Sequence, residues 1–262
     1  MALFLARSAR AQFASLDNLG EHFAKQLKPL KPKLIAIADL TPLEGALPSQ
    51  GHYFASFLTL SIRHHGKKKL PVSDHAEFDE ALTKANLSPA SLASPDAIRT
   101  VAGKVKPDLV IIGSIGRNEQ DYTFNVTAVR VSNGEIVFSG SAAFHRTEFV
   151  DSFSEPFPPK FDQPVFTTTV KDSKISIPSC INCPPPQYNE FARRDRIQGT
   201  CLFSVLISPE GHAVALHLVR LIGYGLDEQA FNIIKTWKFK PAIKDGTPVY
   251  AIVPIELTFR LF

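Results

Sequence analysis

The residues best placed to do chemistry are the pair in Cys180-Ile181-Asn182-Cys183, which runs directly into Pro184-Pro185-Pro186. A C-x-x-C pair can be a redox dithiol, half of a zinc site or a small structural disulfide. Zinc wants four ligands, and the chain offers no second cysteine pair and no histidine pair at finger spacing. A redox dithiol should open a helix, whose N-terminus lowers the thiol pKa; here three prolines follow instead. A local Cys180–Cys183 disulfide is therefore the first expectation, with free thiols or a thiol-disulfide redox protein as alternatives. The third cysteine, Cys201, lies in an apolar run and reads as core. Asp39, Asp74 and His75 could serve as acid–base groups, but no nucleophile accompanies them in sequence. Arg63 to Lys69 is a basic run without interleaved aromatics, which reads as a solvated loop. Gly113-Ser114-Ile115-Gly116 joins two strand-like runs, so no helix N-terminus is there to hold a phosphate. No catalytic residue, metal site or cofactor is expected.

Cys180 and Cys183 stand at the entry to a small module, residues 188–262. Thr200 to Ile207 is apolar on both faces, as a covered strand would be. Ser208-Pro209-Glu210-Gly211 is a turn by residue type. His212 to Arg220 alternates, with Val214, Leu216 and Leu218 on one face. The period then changes: Leu226, Ala230, Ile233, Ile234 and Trp237 form one helical stripe, which Pro241 ends. Val249 to Phe262 is the longest alternating run. Val249, Ala251, Val253, Ile255, Leu257, Phe259 and Leu261 share a face, and Glu256, Thr258 and Arg260 lie opposite. Pro254 inside that run has no N–H for a ladder, which places the strand at a sheet edge. An exposed edge is protected or used to bind another chain, and it also permits a strand-exchanged homodimer.

Pro186, Tyr188, Ala192-Arg193, Gly199, Gly211, Gly225-Leu226-Asp227, Ala230, Trp237, Phe239, Pro241-Ala242, Asp245-Gly246, Pro248-Val249 and Phe259-Arg260-Leu261 together resemble the TonB carboxy-terminal domain family. The resemblance implies a β-β-α-β module in the periplasm, without enzymatic activity. It also implies that the edge strand pairs with an extended segment of an outer-membrane receptor or another envelope protein. The expected partner-binding residues are Val253, Pro254, Ile255, Glu256, Leu257 and Thr258. TonB energy transducers couple the inner-membrane proton gradient through ExbB and ExbD to such receptors, and the resemblance extends that role, transport across the outer membrane, to this chain as an expectation. An envelope assembly scaffold without energy transduction is the alternative.

Upstream, the order is α-β-α-β-α-α-β-β-β, a mixed sheet with helices packed on it. Its helices are read over Leu16–Leu27, Gln50–His64, Asp74–Asn86 and Ser94–Lys106. Its strands are read over Lys33–Leu40, Lys69–Ser73, Asp108–Gly116, Tyr122–Val131 and Glu135–His145, the last two joined by the hairpin signal Asn133-Gly134. This order, over Leu19 to Arg146, is similar to the amino-terminal domains of TolB and to the CsgG and FlgO envelope proteins, which implies an assembly or interaction module. The fold expected is thus α+β in two domains: a TolB/CsgG-like α/β sandwich at 15–149 and the TonB-like module at 188–262. Between them, residues 150–187 carry eight prolines. That connector is either an extended polyproline spacer or a segment packed along one domain.

A formal charge of +4 over 262 residues is too mild to mark a polyanion binder, so no nucleic-acid partner is expected. No apolar run reaches the ~18–20 residues of a membrane helix, so membrane contact is expected to be indirect. Residues 1–14 resemble the tail of a signal peptide whose earlier part is missing, which implies export to the periplasm.

Overall fold

The computed structural model describes residues 18–154, 156–167 and 175–261. The expected signal remnant and Leu16 lie outside them. By contacts, the chain divides into two compact units between Arg146 and Thr147. None of the described helices is long and apolar enough to cross a membrane.

The first unit begins with α1, residues 18–27, whose Leu19, Phe23 and Leu27 are buried as the stripe requires. Strand β1 (Ile35–Ile37) and the two-residue β2 (Thr41–Pro42) follow, so the expected strand over Lys33–Leu40 is interrupted. Next come α2 (Pro48–Gly66), α3 (His75–Lys84) and α4 (Pro95–Val105). Strands β3 (Leu109–Arg117), β4 (Asp121–Arg130) and β5 (Ile136–His145) complete the unit. The strand expected over Lys69–Ser73 is reduced to one parallel bridge between Val72 and Ile35. β1 and β2 both run parallel to β3, and β3-β4-β5 is an antiparallel meander turned at Gly134, whose φ is +75°. β1 and the start of β3 are buried on both faces, while β4 and β5 leave residues such as Thr123, Asn125 and Ile136 exposed. Phe54 of α2 packs its ring on Tyr122, Phe124 and Phe144, while Phe78, Ile98 and Val101 of α3 and α4 pack with Val110 and Val129. The unit is mixed α/β.

The second unit contains α5 (Glu148–Asp151), β6 (Val165–Thr167), β7 (Ser179–Asn182) and α6 (Glu190–Arg194) before the expected module begins its sheet. Then follow β8 (Gly199–Ile207), β9 (Ala213–Arg220), α7 (Leu226–Ile234), β10 (Lys238–Lys240), β11 (Ala242–Lys244) and β12 (Thr247–Phe259). Parts of the Pro-rich connector are therefore strands: β6 pairs parallel with β12, and β7 pairs antiparallel with β10. Of the two readings of the connector, these segments follow the packed one.

On β9 the register skips from Leu206↔Ala215 to Ile207↔Ala213, and from Leu202↔Arg220 to Phe203↔Leu218. Val214 and Val219 are the extra residues of these two bulges and turn outward, so Val214 is exposed, against the alternation read from sequence. Leu216 and Leu218 remain half-buried. Gly211 closes the β8–β9 turn at φ +78°, and a Cβ there would stand 1.9 Å from the Phe239 carbonyl oxygen. Phe239 N–H in turn donates to the Gly211 carbonyl at 2.9 Å. Gly211→Ala is expected to destabilise the unit by about 2–5 kcal/mol, combining left-handed strain with overpacking. The urea midpoint measures it, and a loss below the noise of that midpoint would contradict the close approach.

Candidate functional site

The alternation along β12 decides which of its backbone groups can meet another chain. Asp245 and Gly246, at φ 49° and 83°, form a two-residue turn, so Lys244 and Thr247 face each other as a hydrogen-bonded pair. Backbone groups on that side belong to odd-numbered residues, down to Leu257, whose carbonyl lies 3.7 Å from Cys201 Sγ on β8. β8 takes up this side in a nine-residue antiparallel register, from Ala251↔Ile207 to Phe259↔Gly199. The other side belongs to Tyr250, Ile252, Pro254, Glu256 and Thr258. There β6 pairs with Tyr250, Ala251 and Ile252, and among the described residues no strand pairs with that side beyond Ile252.

The six expected binding residues thus split by parity. Pro254, Glu256 and Thr258 turn their backbone to the open side, whereas Val253, Ile255 and Leu257 turn theirs to β8. Pro254 lies opposite Ser204, and its missing N–H falls on the open side, where it costs the sheet no bond. Side chains follow the amphipathic pattern: Val253 and Leu257 are buried, Ile255 is half-buried, and Pro254, Glu256 and Thr258 are exposed. Two lateral contacts hold the exposed face. Thr258 and Thr200 hydroxyls lie 2.9 Å apart, and Arg220 donates to Glu256 Oε1 at 3.1 Å. At the end of the strand, Thr258, Phe259 and Arg260 share a cleft of about 460 Å³ with Pro185, Pro186 and Tyr188. Tyr188 is fixed by its hydroxyl, which donates to the Ile197 carbonyl at 3.0 Å, and by an edge-on contact with Phe259.

Cys180 and Cys183 are joined by a disulfide with Cα atoms 6.0 Å apart. They sit on β7 and at its end, not at a helix N-terminus, so nothing behind the sulfurs supplies the dipole that redox chemistry uses. Trp237 Nε1 donates to the Pro184 carbonyl at 3.0 Å, which ties the residues after the disulfide to the end of the helical segment. Cys201 is buried, and burial pushes its thiol up to about 12.

In the first unit, Asp39 and His75 come together, Oδ1 to Nε2 at 2.6 Å, while Asp74 remains exposed. Sequence reading missed two neighbours, His52 and Asp79. The signal for Asp79 is its i,i+4 spacing from His75 on a helix; His52 carries no sequence-local signal. Hydrogen bonds to Asp39 and then Asp79 hold the His52 imidazole up at about 10. Burial would raise the Asp39 carboxyl, but hydrogen bonds with His52 and His75 outweigh it and hold Asp39 at about 2. In the basic run, Arg63 is turned to structure, donating to the Val72 and Ser73 carbonyls.

Residues 184–261 match the family model for the Gram-negative bacterial TonB protein C-terminal. Protein TonB of Vibrio cholerae serotype O1 is 35% identical over 77 residues, which are 29% of this chain and 32% of that protein. The chain therefore spans about a third of that relative's length. Among solved structures, the LpoB C-terminal domain from Salmonella enterica is similar at 20% identity and a TM-score of 0.36, over 43% of this chain and 82% of that one. The Pseudomonas aeruginosa TonB CTD is similar at 18% identity and a TM-score of 0.29, over 38% of this chain and 96% of that one.

Within the matched segment lies a fully buried carboxyl. Asp227, in the first turn of α7, accepts from Ile222 N–H at 2.8 Å and Gly223 N–H at 2.7 Å, which fastens the loop after β9 to the helix. Burial pushes it up to about 7, against those two donors. The folded state then binds more protons than the unfolded chain between pH 3.8, its ordinary value, and about 7. This contribution to stability is complete below pH 3.8 and is lost as pH rises through about 7. Unfolding free energies from pH 4 to 8 are expected to show that falling component in the wild type and to lack it in Asp227→Asn. The variant, with one acceptor for two N–H groups, should also lose about 1–3 kcal/mol. A pH profile identical to wild type would contradict the assignment.

Proposed function

We propose that this chain is a non-enzymatic cell-envelope protein whose C-terminal module binds a partner protein by strand addition along β12. What carries the reading is the side of β12 that, among the described residues, has no paired strand at Pro254, Glu256 and Thr258, within a segment that matches the TonB C-terminal model. A partner strand laid there would bond to the Glu256 and Thr258 N–H groups and to the even-numbered carbonyls. It would then run into the cleft beside Tyr188, which would take one of its side chains. The partner class is an outer-membrane receptor, and the setting is the periplasm, in keeping with transport across the outer membrane. The first unit would serve as an interaction or assembly module, a role that rests only on the order of helices and strands read from its sequence. Use of the same edge by a second copy would give a homodimer and block the receptor.

Because the N–H of Glu256 faces the open side and that of Ile255 faces β8, proline at 256 tests the edge without cutting the ladder. The full chain would carry a photo-cross-linker at Thr258 and be mixed with outer-membrane receptors in detergent. The wild type is expected to cross-link to a receptor segment, and Glu256→Pro to bind about tenfold more weakly, the worth of one hydrogen bond. Glu256→Ala, which loses only the exposed Arg220 pair, should stay near wild type. Equal binding by the folded proline variant would move the interface elsewhere, and cross-links only between copies would make the edge a dimer contact.

A further inference from the structure

We propose that Asp39, His52, His75 and Asp79 form a four-ligand site for a divalent metal of the zinc class in the first unit. Three separate stretches of chain converge there. Asp39 lies in the break between β1 and β2, His52 near the N-terminal end of α2, and His75 and Asp79 one turn apart at the start of α3. The break and α2 meet closely: a Cβ at Gly51 would stand 2.2 Å from the Leu40 carbonyl oxygen. That approach brings the next residue, His52, over Asp39.

His75 Nε2 lies 2.6 Å from Asp39 Oδ1 and 3.3 Å from Asp79 Oδ2. His52 Nδ1 lies 3.0 Å from Asp39 Oδ1 and 3.5 Å from Asp79 Oδ2. The four donor atoms all fall within 4.8 Å of one another. A tetrahedral ion with bonds of ~2.0–2.1 Å sets its ligand atoms about 3.3 Å apart, in the middle of these distances. Each imidazole sits between both carboxylates.

His75 supplies the most specific sign. Its ring is 7% exposed, and its Nδ1 lies 2.9 Å from the Ile37 carbonyl oxygen, to which it donates. This fixes the ring so that Nε2 points at both carboxylates, the orientation a ligating nitrogen needs. An imidazole N–H held by a backbone carbonyl is also the usual outer-shell support of a ligating histidine. The donor set of two nitrogens and two carboxylate oxygens suits Zn²⁺ or Co²⁺ rather than Mg²⁺ or Ca²⁺, which take six or more oxygens. Four protein ligands leave no open position, so the ion would be structural, pinning the strand break to the starts of α2 and α3.

The test uses the full chain, untagged, stripped of metal by chelator and kept oxidised so that thiols do not compete. Titration with Co²⁺ alone is expected to give one ion per chain with the intense visible bands of tetrahedral coordination. Zn²⁺ should displace it one for one, while an excess of Mg²⁺ or Ca²⁺ should not. His52→Ala and Asp79→Asn, each checked by circular dichroism, should weaken Zn²⁺ binding at least about 100-fold, the upper end of what outer-shell changes cost. Asp74→Asn, outside the cluster, should bind as the wild type does. No stoichiometric binding by the wild type, a pale octahedral Co²⁺ spectrum, or full binding by folded His52→Ala would each overturn the proposal. The wild-type titration decides even if one variant does not fold.

Discussion

Strand β12 has more backbone groups to satisfy than any other strand of the second unit, and most of that unit is arranged around satisfying them. Its odd-numbered side is taken up by β11 and β8, and the start of its even-numbered side by β6. Because side chains alternate with the same period as the backbone groups, Val253 and Leu257 point into the core while Glu256 and Thr258 stay in water. The position of proline follows from this accounting. At an odd-numbered position it would remove a bond to β8; at 254 it removes none and leaves a gap on the side where another strand could sit. Asp227 does for α7 what β8 does for β12, since without it the loop at Ile222 and Gly223 would bury two N–H groups unmet.

The first unit solves a similar problem with side chains. Where β1 stops and β2 has not begun, the strand leaves the ladder with β3, and its groups find other partners. Ile37 gives its carbonyl to His75, and Leu40 N–H donates to the Gly51 carbonyl at 3.4 Å. The sheet stays well packed beside this break, since Ala36 and Ala38 on either side of Ile37 join Phe78, Val101 and Val110 in one apolar core. The polar cluster lies past the carboxyl end of β1, the end of a strand at which open α/β sheets place their binding crevices.

Much of this was legible in the chain itself. The β3-β4-β5 meander could be read from two alternating runs around Asn133-Gly134, and β12 from its length and alternation, because both signals are local. The bulges at Val214 and Val219 were not, since an inserted residue changes which face follows without changing composition. β6 and β7 were hidden for a different reason. They are short, half-buried or exposed, and flanked by prolines, so their strand character comes only from partners about 85 and 60 residues away. Asp39 and His75 were visible as candidates without a context; Asp79 follows from its i,i+4 spacing to His75 on α3, and His52 joins them only through the close approach of Gly51 to Leu40. The edge could be placed at residues 253–258 from Pro254 alone, but its division into inward and outward residues needed the turn at Asp245-Gly246.

The pairing of β6 with β12 has a consequence for how the chain is made. Val165 emerges from a ribosome some 85 residues before Tyr250, its partner in the ladder. At ~5–20 residues per second, β6 would wait on the order of several seconds with its own backbone groups in water. β7 waits similarly for β10. The prolines that crowd this stretch then have a second use, because a segment poor in N–H donors and stiff in φ is a poor template for pairing with the wrong strand during that interval.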